Sequence, residues 1–266
     1  MICALAFACT ALAAIAAEPQ GVGSEQAPPA PRLFSAQLRI EVGADGVVTA
    51  VAPSPALSQV VNAALAENLR KVRFAPALLD GRPVAGVTYA WQEACLVPAD
   101  GGSRLAVRFL GTGPGTANAI QRTPPQFPFE AQRAGASADV KATYRVEPDG
   151  SISVESTELA SGRSRYTREF LAATRQWLAA QRAEPEQLDG RPVATRVSTH
   201  VVFKSGPSFS GPDARRQAQQ HGEAERARME AARIAGSRAC GVAGGGSDAA
   251  QQPIALNSPF RHLAVE

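Results

Sequence analysis

Leu-Asp-Gly-Arg-Pro-Val-Ala occurs twice, at 79–85 and 188–194, and each occurrence sets a carboxylate two residues from a guanidinium. Such a pair can act as a proton donor or acceptor beside an anion-stabilising cation. Asp80 and Arg82 with Glu93, or their second-copy counterparts around Asp189, are therefore the candidates for acid–base chemistry. Neither set brings a partnered base or a metal ligand, which such a site needs. A turn suits these residues better: Asp and Gly tolerate left-handed backbone, and Pro fixes φ where a strand begins. No catalytic residue is assigned, and the chain is not expected to be an enzyme.

His200, His221 and His262 are the three histidines, and none lies at ligand spacing from another metal donor. His200 falls on the solvent side of an alternating segment. The sequence has no phosphate loop, nucleophile elbow or dinucleotide fingerprint. No metal, cofactor or small-molecule substrate is expected. Net charge is +3, and the 27 basic residues include only Lys71, Lys141 and Lys204 as lysines, scattered among arginines without forming a basic patch. Nucleic acid is accordingly an unexpected partner.

The elements that carry these residues follow from periodicity. Phe34, Ala36, Leu38, Ile40 and Val42 alternate with polar residues as one face of a strand. Asp45-Gly46 supplies positive φ for a hairpin, and 47–51 returns. Val61, Leu65, Leu69 and Val72 then form a helical stripe, Val87, Tyr89 and Trp91 a third strand, and Leu105, Val107 and Phe109 a fourth. Further on, Val140, Ala142, Tyr144 and Val146 alternate, Asp149-Gly150 turns, and Phe170, Leu171, Thr174, Trp177 and Leu178 recur at helical spacing. Val197, Thr199, Val201 and Phe203 close the series. Arg73 and Arg182, each three residues before a proline, are placed to cap the helix C-termini.

The order is thus repeated. The offset between copies is 104 residues at Asp45 and Asp149 but 109 at Asp80 and Asp189, so five residues are inserted within 156–165. A repeated unit explains seven identical residues in matching order better than chance. The expected fold class is α+β, with two tandem small modules, each an antiparallel sheet of three to four strands with one helix on a face. Their bounds are 33–112 for the first, more divergent module and 113–204 for the second.

Outside the modules, 1–17 is uncharged, rich in Ala, Leu and Ile, and ends in small residues before Glu18-Pro19, which reads as a signal peptide. The alternative is part of a longer inner-membrane anchor. Residues 18–32 form a Pro- and Gly-rich linker, and 205–266 a polar, partly helical tail. Cys95 and Cys240 remain after removal of the leader, either as a disulfide or as two separate thiols.

In order, Pro124-Pro125-Gln126-Phe127-Pro128-Phe129-Glu130-Ala131, the strand at 140–146, Asp149-Gly150, the helix bearing Trp177, Pro185, Asp189-Gly190-Arg191-Pro192-Val193 and Val201-Val202-Phe203 resemble the C-terminal domain of TonB energy transducers. The segment 34–97 looks like a second, divergent copy. The resemblance implies a periplasmic, non-enzymatic binding protein associated with outer-membrane transport. Its expected partner is an outer-membrane receptor or another envelope protein, engaged by adding an extended peptide to the last strand. Val197, Thr199, Val201 and Phe203 mark that peptide-binding edge. A structural or adaptor protein of the envelope is the alternative, and the oligomeric state stays open.

Overall fold

A computed structural model describes residues 32–99, 102–116, 124–160, 164–205, 223–224 and 253–263. The signal-like segment, all but the last residue of the linker, and most of the tail lie outside the described residues.

The first half contains β1 (Arg32–Val42), β2 (Val48–Val51), α1 (Gln59–Lys71), β3 (Ala77–Leu79), β4 (Arg82–Val84), β5 (Gly86–Ala99), β6 (Gly102–Gly113) and β7 (Gly115–Thr116). The second contains α2 (Phe129–Arg133), β8 (Ala138–Val146), β9 (Ile152–Leu159), α3 (Thr167–Ala179), β10 (Ala183–Glu184), β11 (Glu186–Leu188), β12 (Arg191–Val193) and β13 (Thr195–Phe203). A short β14 (Ile254–Ala255) follows. The fold is α+β, and its strand pairs are antiparallel. No helix among the described residues is long and apolar enough to cross a membrane.

Alternation in β1 buries Ala36, Leu38, Ile40 and Val42 against Leu65 and Leu69 of α1. Ser58 caps that helix, its side chain accepting from the Val61 N–H, and Arg73 Nη1 donates to Arg70 O at 2.8 Å near the other end. In the second half Phe170, Thr174 and Leu178 line the buried face of α3. Phe127, Phe170 and Phe203 meet at centroid distances of 5.0 to 5.7 Å, so the proline-flanked segment before α2 closes that core.

Two turns differ from expectation in instructive ways. At the Asp-Gly hairpins only Gly46 and Gly150 have positive φ, both 79°, whereas a two-residue type I′ turn needs it at both positions. Packing makes glycine necessary there: a Cβ on Gly46 would lie 2.0 Å from Phe74 O, and one on Gly150 would lie 2.4 Å from Ala183 O. The Leu-Asp-Gly-Arg-Pro-Val sequences, expected merely to introduce a strand, are themselves hairpins, pairing β3 with β4 and β11 with β12. Asp80 and Asp189 adopt φ of 52° and 49° and are followed by Gly81 and Gly190 at 76° and 72°.

Sheet membership also departs from one sheet per module. The first sheet has six strands because the β11–β12 hairpin of the second half adds to it, in the order β12-β11-β5-β1-β2 with β6 also on β5. The second has the order β14-β13-β8-β9. β5 is buried on both faces: Ala90 and Ala94 join the α1 core, while Val87, Tyr89 and Trp91 are buried on the opposite face. Gly86 permits the junction, since a Cβ there would meet Gln187 O at 2.1 Å and Phe260 at 2.7 Å.

Candidate functional site

The last strand of the second half, β13, was expected to carry the functional edge. It pairs along its length with β8, from Thr195 opposite Val146 to Phe203 opposite Ala138. Val197, Thr199, Val201 and Phe203 are all buried, Val197 against Leu178 and Phe203 against Phe170. These four side chains point into the core on one face of the strand.

Main-chain direction separates them from the outer edge as well. Successive residues of a strand point their N–H and C=O groups to opposite neighbours. Arg196 N donates to Asn257 Oδ1 at 2.6 Å, and Arg196 O accepts from Leu256 N at 2.8 Å, so Arg196 faces away from β8. Ser198, His200 and Val202 share that direction by alternation, and Val197, Thr199, Val201 and Phe203 face β8. The hydrogen-bonding groups of the edge therefore belong to Arg196, Ser198, His200 and Val202.

Part of that edge is occupied. β14 pairs with it at Val197 opposite Ala255 and Ser198 opposite Ile254. Among the described residues no strand pairs with the outer edge beyond Ser198. Flanking charges hold the strand's outward side chains. Arg196 Nε lies 2.6 Å from Glu155 Oε2 and Arg145 Nη2 lies 3.1 Å from Oε1, an arrangement in which hydrogen bonding from Arg196 keeps the Glu155 carboxyl below its ordinary range. His200, expected on the solvent side, is half-buried with Nδ1 2.9 Å from Asp139 Oδ1.

Behind this edge lies a polar knot that sequence reasoning missed. Glu186 is fully buried and accepts from three hydroxyls: Thr88 Oγ1 at 2.5 Å, Thr195 Oγ1 at 2.7 Å and Ser258 Oγ at 2.7 Å. The donors come from the first half, the second half and the tail. Desolvation pushes the Glu186 carboxyl upward despite them. Tyr89 Oη donates to Glu184 at 2.5 Å nearby, and burial followed by that carboxylate raises the phenol. A glutamate between Pro185 and Gln187 carries no sequence signal of burial. Phe260 was the one available hint, a large aromatic in a polar tail, and it is buried in the first half's core.

The acid–base candidates are not brought together as a site. Asp80 and Asp189 are exposed turn residues, and Glu93 pairs with Arg108 at 2.9 Å. Among the described residues no group of three His, Cys, Asp or Glu side chains could hold a metal ion. Cys95 is disulfide-bonded, and its partner lies outside the described residues.

Residues 123–205 match the family model of the Gram-negative bacterial TonB protein C-terminal. The match takes in α2 through β13 and therefore the whole edge just described. This part of the chain is therefore similar to the C-terminal domain of TonB proteins, a protein-interaction domain. No curated protein matches the chain.

Proposed function

We propose that this is a periplasmic binding protein of two TonB-C-like modules, 33–112 and 113–204, whose second module takes an extended peptide from an outer-membrane receptor by strand addition to β13. The observation that carries this reading is the outer edge of β13. It already accepts one antiparallel strand at Ser198, and the main-chain groups of His200 and Val202 continue the same edge. Val197, Thr199, Val201 and Phe203 fix that edge by anchoring it in the core. The two-module reading is supported by a shared order of two strands, a helix, a short hairpin and a strand (β1, β2, α1, β3, β4, β5 and β8, β9, α3, β11, β12, β13), by matching φ at both Asp-Gly-Arg-Pro turns, and by the 109-residue spacing of buried Leu65 and Thr174.

The test is recovery of receptors from solubilised outer membranes by the intact protein and by Val202→Pro, which removes one N–H from the outer edge without touching the β8 ladder. Receptor recovery by the native chain and its loss in the variant is expected. Equal recovery by both, or by neither, rejects strand addition at β13.

A second reading, a non-energised structural or adaptor protein of the envelope, is favoured by the presence of β14 on the edge. It predicts an envelope partner whose recovery is indifferent to Val202→Pro.

A further inference from the structure

The segment 253–263 crosses both halves and is held very differently at its two ends. Downstream, Phe260 is fully buried in the first half's core, and its carbonyl accepts from Thr112 Oγ1 at 2.8 Å. Ala75 N donates to Arg261 O at 2.8 Å and Leu263 N to Arg73 O at 2.9 Å, binding the flanks of that anchor. Upstream, β14 has only two paired residues, and Ile254 and Leu256 are 62% and 51% exposed. The upstream hold is main chain, the Asn257 amide on Arg196 N and the contact of the Ala255 methyl with Gly113. Burial of a phenylalanine is worth more than such exposed hydrogen bonds, so the strand can lift while the anchor stays. Ser258, with its hydroxyl on Glu186, sits between the two regimes.

We infer that 253–257 is a removable cover on β13, hinged at Ser258 and anchored by Phe260, and that the uncovered surface takes a peptide with a small residue opposite Val197. This rests on the strand-addition reading above. The preference for a small residue comes from β6: a Cβ added to Gly113 would lie 3.0 Å from Ala255 Cβ, so the Ala255 methyl faces Gly113 at close range. Ile254 and Leu256, facing out on either side, mark permissive positions. The residue two places after the small one meets Arg196 N, where Asn257 supplies a side-chain acceptor. The partner is therefore an extended segment with a small residue at the Ala255 position, unrestricted residues on either side of it, and a hydrogen-bond acceptor two places after it. It reaches full length on the edge only by displacing the cover.

The experiment uses the full chain, Leu256→Pro and Asn257→Ala, with a dye-labelled peptide of residues 253–258 as probe and amide hydrogen exchange as a second readout. Leu256→Pro removes the N–H that bonds Arg196 O from a residue whose side chain is exposed. Asn257→Ala changes an exposed residue and leaves the core intact, so at least one variant keeps the fold. Loss of a hydrogen bond or two predicts binding about tenfold tighter in Leu256→Pro and two- to threefold tighter in Asn257→Ala. Arg196 and Ser198 amides exchange faster in both, and a probe carrying Ala255→Leu binds at least tenfold worse. Faster exchange with unchanged probe affinity overturns the cover while leaving the edge a binding site. Faster exchange with no binding to any form overturns strand addition itself. A variant that elutes as a dimer assigns the uncovered edge to a second copy of the chain and overturns the peptide.

Discussion

At an offset of 109 residues β5 stands in the first half where β13 stands in the second, yet their outer edges have opposite fates. Along β5 the edge is covered by β6 from Tyr89 to Ala99 and by β11 at Gly86 and Val87. On β13 the corresponding cover is the two-residue β14. Edges left open invite pairing with other chains; among the described residues one half's edge is taken up by architecture, while most of the other's is not. The hairpins before these strands differ in the same sense: β3–β4 forms a separate two-stranded sheet, while β11–β12 docks on β5. At matching positions the first copy buries Ala77 and the second buries Glu186. Similar sequence thus yields one strand whose outer edge is paired along its length and one that is paired, among the described residues, at two positions.

The sharpest way to break this asymmetry is at its shared anchor. Phe260→Ala empties a fully buried site in the first half and is expected to cost about 3–5 kcal/mol, read from the urea midpoint. Gly86→Ala attacks the docked hairpin alone, by placing a Cβ 2.1 Å from Gln187 O. Overpacking of this kind costs about 1–3 kcal/mol, and the loss is expected only while β11 stays docked.

A smaller effect comes from pH. The raised carboxyl of Glu186 binds its proton more tightly in the folded protein than in the unfolded chain, so its contribution is full below the ordinary carboxylate value of 4.5 and is lost as pH rises through the folded value. Lowering pH from neutral toward 4.5 is expected to raise the thermal midpoint of the native protein, relative to a flatter profile in Glu186→Gln. Asp149 and Glu155, held low by Ser151 and by Arg196 respectively, act in the reverse direction further into acid. Least of all should follow from Asp80→Gly and Asp189→Gly. Both positions have positive φ, and the two changes are expected to agree within about 0.5 kcal/mol because the turns are alike in both halves.

The strands and helices were legible because their patterns are local. Ala36 to Val42 on β1, Leu65 and Leu69 on α1, and Phe170 to Leu178 on α3 all lie on the faces their spacing requires. The duplicated turn was legible as a turn but not as a hairpin, since its arms are only three residues long. For the candidate site, sequence pattern indicated the strand and the buried side of Val197, Thr199, Val201 and Phe203. It did not indicate which main-chain groups face outward, because that depends on which neighbour β13 chooses. Glu186, Thr88, Thr195 and Ser258 were invisible for a related reason: they converge only after the hairpin crosses to the other half, and each alone reads as a solvated polar residue. His262, read as an isolated terminal histidine, packs on Phe109 at 5.0 Å and near Phe74 at 6.5 Å.

The Phe260 anchor also sets a timetable. Its carbonyl meets Thr112 across 148 residues of chain. At roughly 5–20 residues per second of synthesis, a nascent first half would wait on the order of 7–30 s between emergence of Thr112 and arrival of Phe260. Until Phe260 arrives the aromatic socket is an unfilled apolar surface, so the first half completes its core only with a residue from far downstream.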